Sequence, residues 1–285
     1  MDLIQAIVSG VLMGFIYALV AAGLSFIYGV MGLINFAHGA LLMLSMYSAF
    51  WINTYSGLKP LAAVPLTASL MFLVGMGLYR GLIRRMLDAP FLMQAVLTFG
   101  VSVFLVNLAL FMWRADFRTV YDTGLSGRVE LLGAYIGMPQ LVSSLVCLLA
   151  FGALYYLVNR TSLGRIIQAV SEDKQAAKLM GINTDKVFTL GWGIGLAVVG
   201  VAGTMVASFF PIFPDVGTRF VLFSFVAVTI GGFGSLTGAL LGGIAIGLIE
   251  NLAGVYILPA FKAAVVYLVF VIVLLVRPQG FFGTY

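Results

Sequence analysis

The sequence predicts an all-α fold: a polytopic transmembrane helical bundle of about eight spans, with one broken or re-entrant segment near 220–252. Three observations carry this prediction. The chain is 62% hydrophobic and only 9% charged, against roughly 45–50% and about 25% in soluble domains. Its apolar runs recur at the ~17–25 residues that a helix needs to cross a hydrocarbon core. The runs are continuous and lack the alternation of a barrel strand. Residues 1–285 read as one membrane domain.

The spans fall at 4–28, 36–52, 61–79, 91–113, 139–158 and 187–210, then in the long stretch 220–252, then at 260–276. The first begins MDLIQAIVSG, with an acid and no basic residue, so it is expected to be retained rather than cleaved as a signal peptide. Cys147, the lone cysteine, sits inside an apolar run and reads as packing.

Basic residues set the orientation. Arg80, Arg84 and Arg85 follow the third span, which places that loop in the cytoplasm. Counting forward puts loop 159–186, with Arg160, Arg165, Lys174, Lys178 and Lys186, on the same side. The N-terminus and loops 53–60, 114–138 and 211–219 then lie outside. The chain is therefore expected to cross a membrane several times, with loop 159–186 in the cytoplasm. The net charge of +5 fits the basic excess of cytoplasmic loops and gives no reason to expect nucleic acid.

The stretch 220–252 breaks the count. One helix of 33 residues would be about 50 Å long, and as a single span it would leave Arg277 outside. Its middle reads Gly-Gly-Phe-Gly-Ser-Leu-Thr-Gly over 231–238, a poor helix interior. A break is expected there, with two short arms entering and leaving on one side, so that the C-terminus is inside. Irregular backbone at such depth must face protein or a polar cavity.

This break has an echo upstream. Residues 29–42, GVMGLINFAHGALL, and 231–241, GGFGSLTGALL, share a glycine pair, a polar insertion and a Gly-Ala-Leu-Leu end. Interrupted segments in two halves of a chain point to a transport pathway. Asn35 and His38 then lie beside the route. A plainer reading stands next to it: Asn35 caps a helix start and His38 bonds a backbone carbonyl. Both remain open.

Ionisable groups in the spans are scarce. Besides His38, only Glu250 and Lys262 lie in or at the edge of an apolar run. They either pair across the turn at Pro259 or sit among headgroups. This poverty argues against an ion-coupled carrier, and the scattered acids offer no catalytic or metal-binding cluster. No G-x-x-x-x-G-K-[ST] stretch is present, so ATP hydrolysis needs another polypeptide. No cofactor is expected.

Loop 159–186 is expected to hold one helix from Leu163 to Met180, capped by Ser162 and ended by a left-handed Gly181. Asn183 or Thr184 starts the next span. Ala169, Glu172, Asp173, Ala176, Ala177 and Met180 fall on one face of such a helix. The face is small and lightly polar and suits close approach by a protein; an amphipathic helix on the bilayer surface is the alternative.

These residues resemble a known family. Ala169-x-x-Glu172-Asp173-x-x-Ala176-Ala177-x-x-x-Gly181-Ile182-Asn183 resembles the coupling loop of bacterial ABC importer permeases. Ile34-Asn35-Phe36-Ala37-His38-Gly39, Thr98-Phe99-Gly100, Gly231 to Ala239, and Arg277 to Gly283 are similar to motifs of the branched-chain amino acid ABC transporter permeases, most of all the shorter, LivH-like subunit. The resemblance implies a multi-pass subunit of a bacterial cytoplasmic (inner) membrane importer for branched-chain or other apolar amino acids, with urea or short-amide transport as the alternative. A self-sufficient channel for a small neutral solute is the rival outside it. It implies a second permease subunit, related or identical, two cytoplasmic ABC ATPases and an extracytoplasmic solute-binding protein. It makes Ala169, Glu172, Asp173, Ala176, Ala177, Met180 and Gly181 the ATPase contact. Asn35, His38, Gly39, Thr98, Gly231, Gly232, Gly234, Ser235 and Glu250 become candidates for the translocation pathway.

Overall fold

A computed structural model describes residues 2–131, 133–277 and 279–283. Pro278 of the C-terminal motif lies outside the described residues. The helices are α1 (Asp2–Met31), α2 (His38–Ser56), α3 (Pro60–Gly81), α4 (Phe91–Trp113), α5 (Met138–Arg160), α6 (Ser162–Glu172), α7 (Lys174–Leu179), α8 (Thr184–Val206), α9 (Val216–Gly231), α10 (Leu236–Tyr256) and α11 (Lys262–Val276). Among the described residues, seven helical stretches are long and apolar enough to cross a membrane: α1, α3, α4, α5, α8, α10 and Pro259–Val276. α2 has the length but carries His38, Ser45, Ser48, Asn53 and Thr54, which lower its hydropathy. α9 is apolar but has only 16 residues. The helical bundle is as the composition predicts.

α1 is the central helix. Its middle, Ile16 to Ala22, is fully buried. α10 lies antiparallel against it through small residues: a Cβ on Gly10 would touch the backbone of Gly247 and Leu248, one on Gly14 that of Ile244, and one on Gly243 that of Ala18. Lipid tails are as apolar as leucine, so membrane helices gain little by hiding apolar surface from each other; close backbone approach through small residues brings dispersion contacts instead. α3 and α8 pair in the same manner. Gly75 faces Trp192, Gly200 faces Thr67, and the hydroxyls of Thr67 and Thr204 meet at 2.6 Å. α4 and α11 are mostly exposed at the periphery.

Loop contacts sort the molecule into two ends. Gln5 holds both the N–H and the carbonyl of Tyr135. Asn53 donates to the carbonyl of Asp122, and Arg118 pairs with Ile212 as an isolated bridge. The start of α1 and loops 57–59, 114–137 and 207–215 therefore share one end. At the other, Arg84 meets Asp185 and Lys174 meets Asp88, both at 3.0 Å, and the amides of Phe281 and Phe282 donate to Ile230 and Gly231. That end gathers loop 82–90, α6, α7, the break after α9 and the C-terminal segment.

Two details differ from expectation. Loop 114–138 contains a hairpin of β1 (Arg128–Leu131) and β2 (Ala134–Gly137), paired antiparallel with Val129 opposite Ile136. The turn uses Gly133 at φ +80°. The stretch 220–252 is indeed broken, at 232–235, but its arms are not both short. α9 and α10 are about 24 and 31 Å long at 1.5 Å per residue, and they form a close hairpin. Ala227 faces Gly242 and Gly231 faces Gly238 across it. Chain entry and exit lie together at the end opposite α6, as the parity argument requires.

Candidate functional site

The first break, residues 32–37, lies below the level of the helix ends around it. Thr98, which holds it, is seven residues into α4, about 10 Å along the axis. Thr98 Oγ1 donates to the carbonyl of Ile34 and accepts from the amide of Phe36, each at 3.3 Å. Backbone groups freed from helix geometry are thus answered by protein, as they must be where lipid offers no partner. Asn35 is fully buried; its Oδ1 accepts from the amide of Ala37 at 3.0 Å and its carbonyl from that of His38 at 3.3 Å. It forms a turn ahead of α2 rather than capping it, because Ala37 holds the cap position. His38 is fully buried and its Nε2 lies 2.9 Å from the carbonyl of Val20 in α1. The carbonyl partner expected for His38 is therefore present. Asn35 Nδ2 and His38 Nδ1 are buried without a partner among the described residues. Gly39 lies against Gly217 of α9 so closely that a Cβ on either would overlap the other's backbone.

The second break meets the first motif directly. Gly234, at φ +83°, packs on Gly29 near the end of α1, and the rings of Tyr28 and Phe233 are 4.9 Å apart. Gly232 takes φ +95°, a conformation that side chains other than glycine resist. Ser235 caps α10 by accepting from the amide of Gly238 at 3.0 Å, and its carbonyl accepts from Ser25 of α1. The sequence echo has become a spatial contact. A cleft of about 330 Å³ separates this break from α5 and α6, lined by Gly29, Asn159, Gln168, Ser171, Ser235 and Thr237 among others.

Glu250 stands apart from both breaks, near the far end of the hairpin. It pairs with Arg219 and Tyr17 rather than with Lys262. Its side chain is 4% exposed, its Oε2 accepts from Tyr17 of α1 at 2.7 Å, and its Oε1 is held by Arg219 of α9. The Arg219 guanidinium is half-exposed and lies over Phe210 and Phe223, 5.7 and 5.6 Å from their ring centroids. Arg219 is not among the sequence candidates because residue 219 falls in the loop 211–219 that the hydropathy pattern places outside the span, and Tyr17 is not because nothing local in the first span ties it to Glu250. Lys262 instead lies along Gly254.

The loop before α8 is not one helix. It bends at Asp173, which is extended at φ −148° and ψ 101° and caps α7 by accepting from the amides of Gln175 and Ala176. The α6 start is capped by Thr161, not Ser162. Gly181 is left-handed at φ +81° and Asn183 caps α8, as expected. The bend splits the expected face. α6 buries Gly164, Ile167 and Val170 and leaves Ala169 and Glu172 exposed. α7 buries Ala177 alone and exposes Ala176, with Leu179 and Met180 at its tip 90% and 82% exposed. Lys174 reaches Asp88 at 3.0 Å and holds that carboxyl below the usual carboxylate range, through the hydrogen bond first and its charge second.

Comparison with known proteins fits this architecture. The family described as "Branched-chain amino acid transport system / permease component" matches residues 6–274. The high-affinity branched-chain amino acid transport system permease protein LivH of Escherichia coli K12 is 31% identical, over 98% of this chain and 95% of its own length. BraD of Pseudomonas aeruginosa, named for the same system, is 29% identical over the same shares. The ribose import permease protein RbsC of Escherichia coli K12 is 28% identical over about half of each chain. No solved structure matches the chain. The chain belongs to the branched-chain amino acid transport system permease family.

Proposed function

We propose that this chain is the membrane subunit of an ABC importer for branched-chain or other apolar amino acids. In this reading 1–285 is one permease domain and 159–186 its coupling loop. A second permease subunit, related or identical, completes the pathway. Two cytoplasmic ATPases drive it, and an extracytoplasmic binding protein delivers the solute.

The observation that carries the reading is the uncovered tip of α7. Leu179, Met180 and Ala176 face solvent beside the charges of Lys174 and Lys178. Apolar side chains so exposed on a membrane protein's aqueous end fit a protein partner. The tip is mounted stiffly. Thr161 links α6 to α5 by accepting from Gly164 and donating to Leu157, Gln168 donates to the carbonyl of Val158, and Lys174 and Arg84 tie the loop to its neighbours. A pull on α7 therefore moves α5 and α8 together, and α6 borders the cleft under the second break. The glycine-rich breaks at 32–37 and 232–235 supply hinge positions of the kind that switching bundles use.

Charge supports the orientation. Nine of the fifteen basic residues and four of the ten acids belong to the α6–α7 end; the other six of each sign cancel at the opposite end. Basic excess marks the cytoplasmic side. The N-terminus is then outside and the C-terminus inside. Asn35, His38, Gly39, Thr98 and the Gly231–Ser235 break line or hinge the route, and Glu250 lies near its outer mouth.

The test is reconstitution. Liposomes holding this chain with its ATPases and binding protein should accumulate leucine only with ATP. Uptake by the chain alone, at the rate of the assembly, overturns the reading in favour of a channel.

A further inference from the structure

The cavity beside Arg219 at the end opposite α6 and α7 has a composition that the family assignment does not explain. It holds about 600 Å³. Its charged lining is Asp215, Arg219, Glu250 and Lys262, Thr218 adds a hydroxyl, and much of the rest is aromatic or aliphatic: Phe210, Phe213, Leu222, Phe223, Pro259 and Tyr267. Two acids and two bases cancel, so the cavity as a whole favours neither anions nor cations. The charges are nevertheless separate. Glu250 is committed to Tyr17 and to one arm of Arg219. A guanidinium has five donors in a planar fork, and Arg219 is half-exposed towards the cleft, which leaves donors free for a second carboxylate. Asp215 is exposed and accepts from Thr218 only through Oδ1. The Phe223 and Tyr267 rings, 6.1 Å apart, belong to the same lining.

We infer that this cavity is an entry subsite for an amino-acid zwitterion with an apolar side chain: the carboxylate on Arg219, the ammonium on Asp215, the side chain against Phe213, Phe223 and Tyr267. It rests on the proposed import reading and adds the place where the solute first meets the membrane subunit. Glu250 and Tyr17 act as positioning residues: they pin Arg219 while contributing no free donor to the solute. A lipid headgroup with phosphate and ammonium shares this chemistry, and the test separates the two.

Ala263 lines the cavity and takes no part in the ion pair. Ala263→Cys is placed in the full transporter, in nanodiscs of phosphatidylcholine or of phosphatidylethanolamine, and labelled with a membrane-impermeant maleimide. The native Cys147 is buried and adds little background. Leucine should slow labelling severalfold in both lipids, while glutamate and lysine should not. In parallel, Ala263→Trp should lower leucine uptake about tenfold more than alanine uptake, the scale of discrimination by side-chain size in an apolar pocket. Absence of leucine protection in a transporter that takes up leucine overturns the subsite and spares the import reading. Protection that depends on phosphatidylethanolamine and not on leucine makes the cavity a lipid seat and also overturns it. A transporter that takes up no amino acid overturns the import reading itself.

Discussion

Arg219 and Glu250 face each other across the mouth of the α9–α10 hairpin, and Tyr17 of α1 holds the carboxylate's second oxygen. One acid thereby joins three helices. Removing Arg219 alone strands a buried carboxylate, and breaking a buried pair from one side costs roughly 3–5 kcal/mol. The half-exposed guanidinium argues for the low end. Arg219→Ala should lower the melting temperature of the purified protein markedly. Arg219→Met combined with Glu250→Leu should recover most of that loss, since paired replacement of buried charges is often neutral. Equal melting temperatures for the single and double variants would contradict the account.

Close backbone approach makes a second claim. Gly39 and Gly217 leave no room for a Cβ, whereas a Cβ on Gly77 in α3 meets open space. Gly39→Leu should cost at least the 1–3 kcal/mol typical of overpacking and appear as loss of folded protein in size-exclusion chromatography. Gly77→Ala should be neutral or slightly stabilising, because alanine favours helix by about 1 kcal/mol over glycine.

Much of this architecture was legible in composition and glycine placement. Continuous apolar runs give the bundle, and the density of glycine at 231–238 gives the break, because glycine neither favours helix nor resists unusual dihedrals. The partner of Glu250 was harder to find because it is distant in sequence. It follows only once the break is treated as a hairpin: reflecting Glu250 through the centre of Gly231–Gly238 lands on Arg219. The bend in the coupling loop had a local signal. Asp173 competes for backbone amides and prefers a cap to a helix interior, and it caps α7. Buried partners such as Val20 for His38 and Thr98 for residues 34–36 depend on tertiary contact and leave no periodic trace.

The α7 tip carries the coupling prediction. The Leu179 and Met180 side chains are almost wholly exposed and bury little apolar area on folding. Leu179→Asp with Met180→Asp should leave the yield and melting temperature of the permease nearly unchanged, yet reduce ATP-driven leucine uptake at least tenfold and weaken copurification of the ATPases. Ala177→Leu should act differently: Ala177 is buried, so its enlargement should disturb the seat of α7 and lower stability. Undiminished uptake in the double aspartate variant would remove α7 from the coupling route.

The Lys174–Asp88 tie is exposed, so its effect is on order rather than on global stability. Lys174 lowers the Asp88 carboxyl's proton affinity. A carboxyl depressed in this way contributes fully above its ordinary range, and the contribution is lost as pH falls through the lowered value. It is therefore intact at neutral pH. Asp88→Asn removes it there, and should speed hydrogen–deuterium exchange in residues 174–179 with little change in α8. The swap Asp88→Lys with Lys174→Asp should slow it again.

The C-terminal segment closes the second break. A helix leaves its last four carbonyls without intrahelical partners, and in α9 those of Ile230 and Gly231 accept from the amides of Phe281 and Phe282, at 2.8 and 3.0 Å. Gly280, at φ +75°, fits against Thr229 and Gly232 with no room for a Cβ. A chain ending at Gln279 loses both donors and uncovers the carbonyls at the turn on which α9 and α10 hinge. Each lost bond costs about 1 kcal/mol net, too little to unfold the bundle but enough to raise opening of the turn severalfold. Truncation after Gln279 should therefore speed amide exchange at 228–235 while leaving α3 and α8 protected. Gly280→Val should mimic it through strain at positive φ. Unchanged exchange in both variants would mean that the segment merely rests on the break.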